Sequence, residues 1–261
     1  MRWTKRPIGR TLKADIDFGR LDAGTVQIRI AGTDAVCDWR GVVYVPKHDL
    51  LVFSDLHLEK GSSFARRGSF VPPYDTHQTL ARAQTVIRQY DPAVVVCLGD
   101  NFHDDEGHSR ICEAIRNEIR LLAHGRDWCW ITGNHDPNPP ENLPGFSAKE
   151  LVAETLTFRH EPKEGEALGE ISGHLHPAAR IVRRGRSVRR DCFATDGSRL
   201  IMPAFGAFTG SLNVLSPAYA GLFEWGSFQA LLLGPNRIYP IGTELLVPDR
   251  RTASETAKRR A

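Results

Sequence analysis

The sequence predicts an α/β chain, and two observations carry the prediction. Short apolar runs at 50–53 (LLVF), 94–98 (VVVCL) and 128–131 (WCWI) each end in a polar or glycine-containing turn. Runs of that length and purity are the mark of buried parallel strands. Helical spacing fills the gaps between them, giving the βαβαβ alternation of a parallel arrangement. After residue 155 the pattern changes to short strand-like stretches, which predicts a second, mainly antiparallel sheet.

Residues 1–20 are polar and basic without periodicity and read as a disordered tail. The stretch 248–261, which ends in Lys258, Arg259 and Arg260 before the last alanine, reads the same way; 21–247 is left as a single domain. Residues 26–30 alternate as an edge or half-buried strand, and 41–45 with 50–53 flank Pro46 to Asp49 as a hairpin. Asp75 is placed to cap a helix whose Leu80, Ala83, Ile87 and Tyr90 share one face. Ser109 starts a second helix, with Ile111, Ile115, Ile119 and Leu122 inward. Strands are expected near 156–160, 169–173, 180–184, 187–194, 199–203, 221–225 and 228–232. Asp196-Gly197 reads as a type I′ turn and 203–209 (PAFGAFT) as core.

Composition narrows the class. A chain of 261 residues, 41% hydrophobic, supports one large core, and its net charge of +3 is not that of a polycation. No run approaches the roughly 18 apolar residues of a membrane span. The basic start is not followed by the apolar stretch of a secretory signal. Cys37, Cys97, Cys112, Cys129 and Cys192 are odd in number and lack C-x-x-C pairing, as expected of free thiols in a reducing cytoplasm.

Five polar blocks carry the chemistry. They are Asp55 with His57, Asp100 to His103, Asn134 to Asp136, His160, and His174 with His176. Carboxylates, an amide and imidazoles make a cage for two divalent metals, and the first three blocks directly follow apolar runs. Ligands of open α/β sheets gather beyond the carboxyl ends of such strands. Two metals about 3.5–4 Å apart can clamp the attacking and leaving oxygens of an in-line phosphoryl displacement. Asp100, at the middle of the three strand ends, is the natural bridge. Taken singly, each block has a plainer alternative, a polar turn for Gly133 to Asp136 and a solvated strand end for Gly173 to His176, but the set in order, each block at a predicted strand end, outweighs both. His103 stays open between a supporting role, a substrate contact and a turn cap, whereas His48, His77, His108 and His124 read as surface residues.

The order D-x-H, G-D-x-x-H, G-N-H-D, H, G-H-x-H resembles the calcineurin-like metallophosphoesterase superfamily. The stretches 54–60 (SDLHLEK), 173–177 (GHLHP) and 196–208 (DGSRLIMPAFGAF) are similar to the bacterial ligase-associated phosphoesterases of the PdeM type, over roughly 24–245. The resemblance implies two packed mixed β-sheets flanked by helices. It implies Asp55, His57 and His176 on one metal, Asn134, His160 and His174 on the other, and Asp100 on both. It also implies phosphodiester hydrolysis by a metal-bound hydroxide, and DNA endonuclease action beside a DNA ligase and a helicase in repair. Ligand hardness and family habit favour Mn²⁺, with Fe²⁺ or Zn²⁺ as alternatives. His135, one residue past Asn134, is then expected to face substrate and either protonate the leaving oxygen or stabilise charge on the phosphoryl oxygens, with Asp136 orienting or charging it.

Charge adds one local signal. Arg180, Arg183, Arg184, Arg186, Arg189 and Arg190 fall within eleven positions that hold no acid. Beside a phosphodiesterase centre the first four are candidates to track a nucleic-acid backbone. The plainer reading is a solvated strand edge guarded against pairing. No aromatic residue is interleaved there, so base stacking has no support in that run. Two rival functions remain: a small-molecule phosphoesterase acting on nucleotides or cyclic nucleotides, and a non-catalytic metal-bound repair scaffold. The second is disfavoured because every expected position is filled.

Overall fold

The structure is a computed structural model, and it describes residues 24–69, 74–138 and 140–249. The expected tail at 1–20 and most of that at 248–261 lie outside the described residues. Of the latter, Pro248 and Asp249 are tied down: Arg180 donates to Pro248 O and Arg189 pairs with the Asp249 carboxylate.

The first sheet has seven strands in chain order, β1 (Thr25–Ile30), β2 (Thr33–Asp38), β3 (Val42–Val45), β4 (Leu50–Phe53), β5 (Val94–Leu98), β6 (Asp127–Ile131) and β7 (Phe146–Ala148). It is antiparallel from β1 to β4 and parallel from β4 to β7. The apolar runs are continuous because these strands are covered on both faces. In β4, Leu51 and Phe53 pack toward helices α2 (Asp75–Tyr90) and α4 (Glu113–Ala123), whereas Leu50 and Val52 pack into the space between the sheets. That two-residue alternation is the pleat.

The second sheet holds β8 (Glu150–Ala153), β9 (Leu156–Arg159), β10 (Glu170–Ser172), β11 (Pro177–Arg183), β12 (Arg186–Thr195), β13 (Arg199–Ile201), β14 (Leu212–Asn213), β15 (Gln229–Leu233) and β16 (Ile238–Gly242). Its order is β14-β11-β12-β13-β10-β9-β8, with β15 and β16 added beside β12. Phe158, Ile171, Phe193, Leu200 and Leu231 meet the inner face of the first sheet, forming the central core. The architecture is therefore two packed mixed sheets with helices outside. The second sheet is more mixed than the sequence suggests, because β10 pairs parallel with both β9 and β13.

Several local expectations are corrected. No strand forms at 221–225; Leu222 and Phe223 are buried from a turn, filling a third cluster with Tyr219 and Phe228. The helix expected from Ser109 is broken into a short turn, α3 (Gly107–Arg110), and α4, with Ile111 extended between them. The cap of α2 is Tyr74, while Asp75 Oδ2 accepts the Gly61 amide at the start of α1 (Lys60–Arg66). His48 is buried. At 196–197 only Gly197 has positive φ, and Asp196 Oδ1 accepts the amides of Ser198 and Arg199. The type I′ signature instead lies at Arg184-Gly185, where both φ values are positive. Among the described residues no helix is long and apolar enough to cross a membrane.

Candidate metal centre

The carboxyl ends of β4, β5 and β6 open onto one site, into which the loop after β9 and the loop between β10 and β11 project. The first two loops are stitched by backbone bonds, with the His57 amide donating to Asp100 O at 2.8 Å and the His103 amide to Leu58 O at 2.9 Å. Two glycines are required by crowding. A Cβ at Gly133 would stand 2.2 Å from the Asp100 nitrogen, and one at Gly173 would stand 2.0 Å from Ser54 Oγ. Asp55, His57, Asp100, His174 and His176 all have positive φ. Such backbone is uncommon outside glycine and clusters where function holds it.

Ring orientation is settled by carbonyl partners, which can only accept. His160 Nδ1 donates to Leu98 O at 2.8 Å, and His176 Nδ1 donates to Gly210 O at 3.0 Å. Each therefore turns its Nε2 to the centre, the arrangement that orients metal-binding imidazoles. His160 Nε2 meets Asn134 Oδ1 at 2.9 Å, His174 Nδ1 at 3.1 Å and Asp100 Oδ1 at 3.3 Å. His176 Nε2 meets Asp55 Oδ1 at 3.2 Å and His57 Nε2 at 3.4 Å, and His57 Nε2 is 3.8 Å from Asp100 Oδ2. Acceptors thus converge on two points, and Asp100 turns one oxygen to each.

This donor set fits two cations. Two ligands about 2.1 Å from one ion lie roughly 3.0–3.4 Å apart across octahedral to tetrahedral angles. The observed separations fall largely in that range, and a cation removes the repulsion between facing lone pairs. Asp55, His57 and His176 form one group able to hold a metal, and Asp100, His160 and His174 another. Asn134 joins the second through His160.

Electrostatics agree. Burial would raise the Asp55 carboxyl, but hydrogen bonding and charge from His176, helped by His160 and Ser54, bring it below its ordinary value. Burial pushes His57 down to about 3 and lowers His174, so both imidazoles are neutral and available as ligands at neutral pH. His176 is moved the other way: burial lowers it, and Asp55 more than reverses that.

His135 lies outside the two groups of ligands that contain a carboxylate. Its side chain is 42% exposed, its Nδ1 donates to His103 O at 2.9 Å, and its Nε2 is 3.9 Å from Asp100 Oδ2. It forms a third group with His57 and His103, which brings the undecided His103 to the centre. The hydrogen bonds of Asp136 go to partners other than His135. Its Oδ2 accepts from the Asn101 amide, Asn101 Nδ2 and the Phe102 amide, and its Oδ1 accepts from the Gly133 amide. The carboxylate ties the Asp100 loop to the Asn134 loop. Burial, only partly offset by the Asn101 hydrogen bond, pushes its pKa up to about 6.

Two contributors are not among the expected site residues. Ser54 Oγ bonds Asp55 Oδ2, and the buried Tyr219 hydroxyl donates to Leu175 O at 3.0 Å, between the two histidines of the last block. The arginine candidates divide. Arg180 is engaged, donating to Ser187 Oγ and Pro248 O, whereas Arg183, Arg184 and Arg186 ring an open hollow of about 670 Å³ at the β11–β12 tip. Seven residues of β11 separate that tip from His176, a span of about 20 Å at strand rise.

Two sheets with a two-point acceptor cage at the strand ends define a metal-dependent phosphoesterase. The calcineurin-like phosphoesterase family model matches residues 48–192, and the chain belongs to that family. Among solved structures it is similar to the Pseudomonas putida nuclease MPE, at 26% identity with a TM-score of 0.64, over 84% of this chain and 100% of that one. No curated protein matches the chain.

Proposed function

We infer that this metallophosphoesterase is a phosphodiesterase acting on nucleic acid, DNA foremost, with Mn²⁺ as its metal. The observation that carries the reading is Asp100, whose two oxygens face two separate groups of acceptors. Ions held there polarise phosphoryl oxygens and lower the pKa of bound water. Asp55, His57 and His176 would hold one, Asn134, His160 and His174 the other, with Asp100 shared.

The protein's own groups do the rest. His135 stands half exposed beside the cage with Nδ1 held by His103 O, so a proton on Nε2 can pass to the leaving oxygen. Asp136 keeps the loops of Asp100 and Asn134 in register. The similarity to a nuclease supports nucleic acid over a small diester. Arg183, Arg184 and Arg186, about 20 Å away, suit a strand that continues past the cut. The PdeM-type blocks at 54–60 and 196–208 support a repair setting beside a ligase and a helicase.

The test is cleavage of an oligonucleotide by metal-stripped protein resupplied with Mn²⁺, alongside Asp100→Ala. Activity should return with the metal and be absent in the variant. Hydrolysis of bis-p-nitrophenyl phosphate without cleavage of any nucleic acid would overturn the substrate and leave the chemistry standing.

A further inference from the structure

Residues 206–210 form an arch fastened to the candidate metal centre at both ends. The Gly206 amide donates to Asp55 O at 3.0 Å, and His176 Nδ1 donates to Gly210 O at 3.0 Å. Between these anchors the Ala207 amide donates to Thr79 Oγ1, Thr209 Oγ1 donates to Gly206 O, and Lys60 Nζ donates to Phe208 O at 2.7 Å. Phe208 is the crest, two residues from each anchor, so its Cα lies within about 7 Å of both.

The backbone around Phe208 is held by these hydrogen bonds, yet most of the side chain is left exposed. The residue is 63% exposed, and its φ of +58° is a conformation that bulky residues adopt only when their surroundings impose it. Phe205, three residues earlier, is fully buried. A single exposed apolar residue is ordinary on a protein surface. A strained one, held up by five hydrogen bonds between two blocks of the centre, is not.

Its neighbours carry positive charge. Lys60, which holds the arch, stands 6.0 Å from the Phe64 ring, and Phe64 in turn lies 5.4 Å from the His103 ring. Beside Phe208 opens a cleft of about 570 Å³ lined in part by Trp39, Arg40, Arg82, Asp191 and Thr209, in which Asp38 pairs with Arg40 while Arg82 lies over the Phe205 ring. An aromatic face flanked by cations matches a nucleotide, which offers a π-face and phosphates together.

We propose that Phe208 is the stacking platform for a nucleobase adjoining the scissile phosphate. A base within a duplex has its faces covered by neighbours, so the platform serves a strand that is single or locally opened. This rests on the phosphodiesterase reading of the centre given above.

The test compares kcat/KM on oligothymidylate with that on an abasic deoxyribose-phosphate chain of equal length. It uses the Mn²⁺-loaded wild type, Phe208→Ala and Phe208→Trp, with bound metal measured in each. The wild type should prefer the chain with bases by about tenfold. In Phe208→Ala that ratio should collapse toward one with metal content retained, and Phe208→Trp should restore it. A wild type without the preference, or an alanine variant that falls equally on both chains, overturns the platform alone. A wild type that hydrolyses bis-p-nitrophenyl phosphate but neither chain overturns the nucleic-acid reading and the platform with it.

Discussion

The histidine block and the arginine hairpin are chain neighbours with opposite physics. His176 ends the first, and β11 begins at the next residue. In the block, His176 Nδ1 is fixed by the Gly210 carbonyl, His174 Nδ1 meets His160, burial lowers the proton affinity of His174 and Asp55 raises that of His176. Along the hairpin, Arg183, Arg184 and Arg186 spread outward from a two-residue turn into water. The same polypeptide supplies a buried centre and an exposed electrostatic arm, and burial makes the difference. A charge in the centre has few neighbours to replace it, whereas a charge on the arm is screened within about 10 Å.

The largest effect should follow from removing the residue on which the centre converges. Asp100→Ala takes away both inward-facing oxygens, so two metals should be lost together and turnover should fall at least about 10³-fold, roughly 4 kcal/mol of barrier. Metal analysis checks it. Retention of both ions at full occupancy would show that Asp100 is not shared.

Asp136 probes rigidity rather than ligation. Asp136→Ala leaves the amides of Gly133, Asn101 and Phe102 without the carboxylate they share. Unfolding free energy should fall by about 2–4 kcal/mol, since each buried donor left unpaired costs roughly 1–3 kcal/mol less what water recovers. A melting temperature within about 1 °C of wild type would remove Asp136 as the tie between the loops.

Much of the centre was legible because its candidate ligands sit where buried strands end, and strands covered on both faces announce themselves as unbroken apolar runs. Asp55, Asp100 and Asn134 follow β4, β5 and β6 for that reason. Other elements were hidden by the same physics. Leu222 and Phe223 are apolar because they are buried, and nothing in one apolar triplet separates a turn that plugs a core from a strand. Ile111 kept helical spacing with Ile115 while lying outside α4, because it joins the same cluster from an extended linker. β2 escaped notice because Thr33 and Asp34 open it and Asp38 closes it. Asp136 was harder still: the sequence sets His135 outside the cage, but the hydrogen bonds that turn the neighbouring carboxylate back to Asn101, Phe102 and Gly133 leave no trace in the spacing.

Tyr219 sharpens the contrast from within the block. Its hydroxyl holds Leu175 O, so Tyr219→Phe keeps the packing and frees the backbone between His174 and His176. Metal affinity should weaken by about tenfold, the lower end for groups that support ligands from behind, with stability reduced by roughly 1 kcal/mol. Titration of stripped protein with Mn²⁺ measures it, and an unchanged dissociation constant would leave Tyr219 a core residue only.

The smallest effect belongs to the arm, and it should appear only as a dependence on salt. Replacing Arg183, Arg184 and Arg186 together with alanine removes three exposed cations whose loss should change stability by no more than about 0.5 kcal/mol each. If they meet phosphates, each contact releases counterions, and the slope of log kcat/KM against log salt should become shallower by about 0.7–0.9 per contact. The lines for wild type and triple variant would then separate at low salt and converge at high salt. The salt slope that the centre itself contributes is common to both proteins, so the difference between them reports the arm alone. Parallel lines would mean that the hairpin never touches the strand, and that its arginines guard an exposed edge instead.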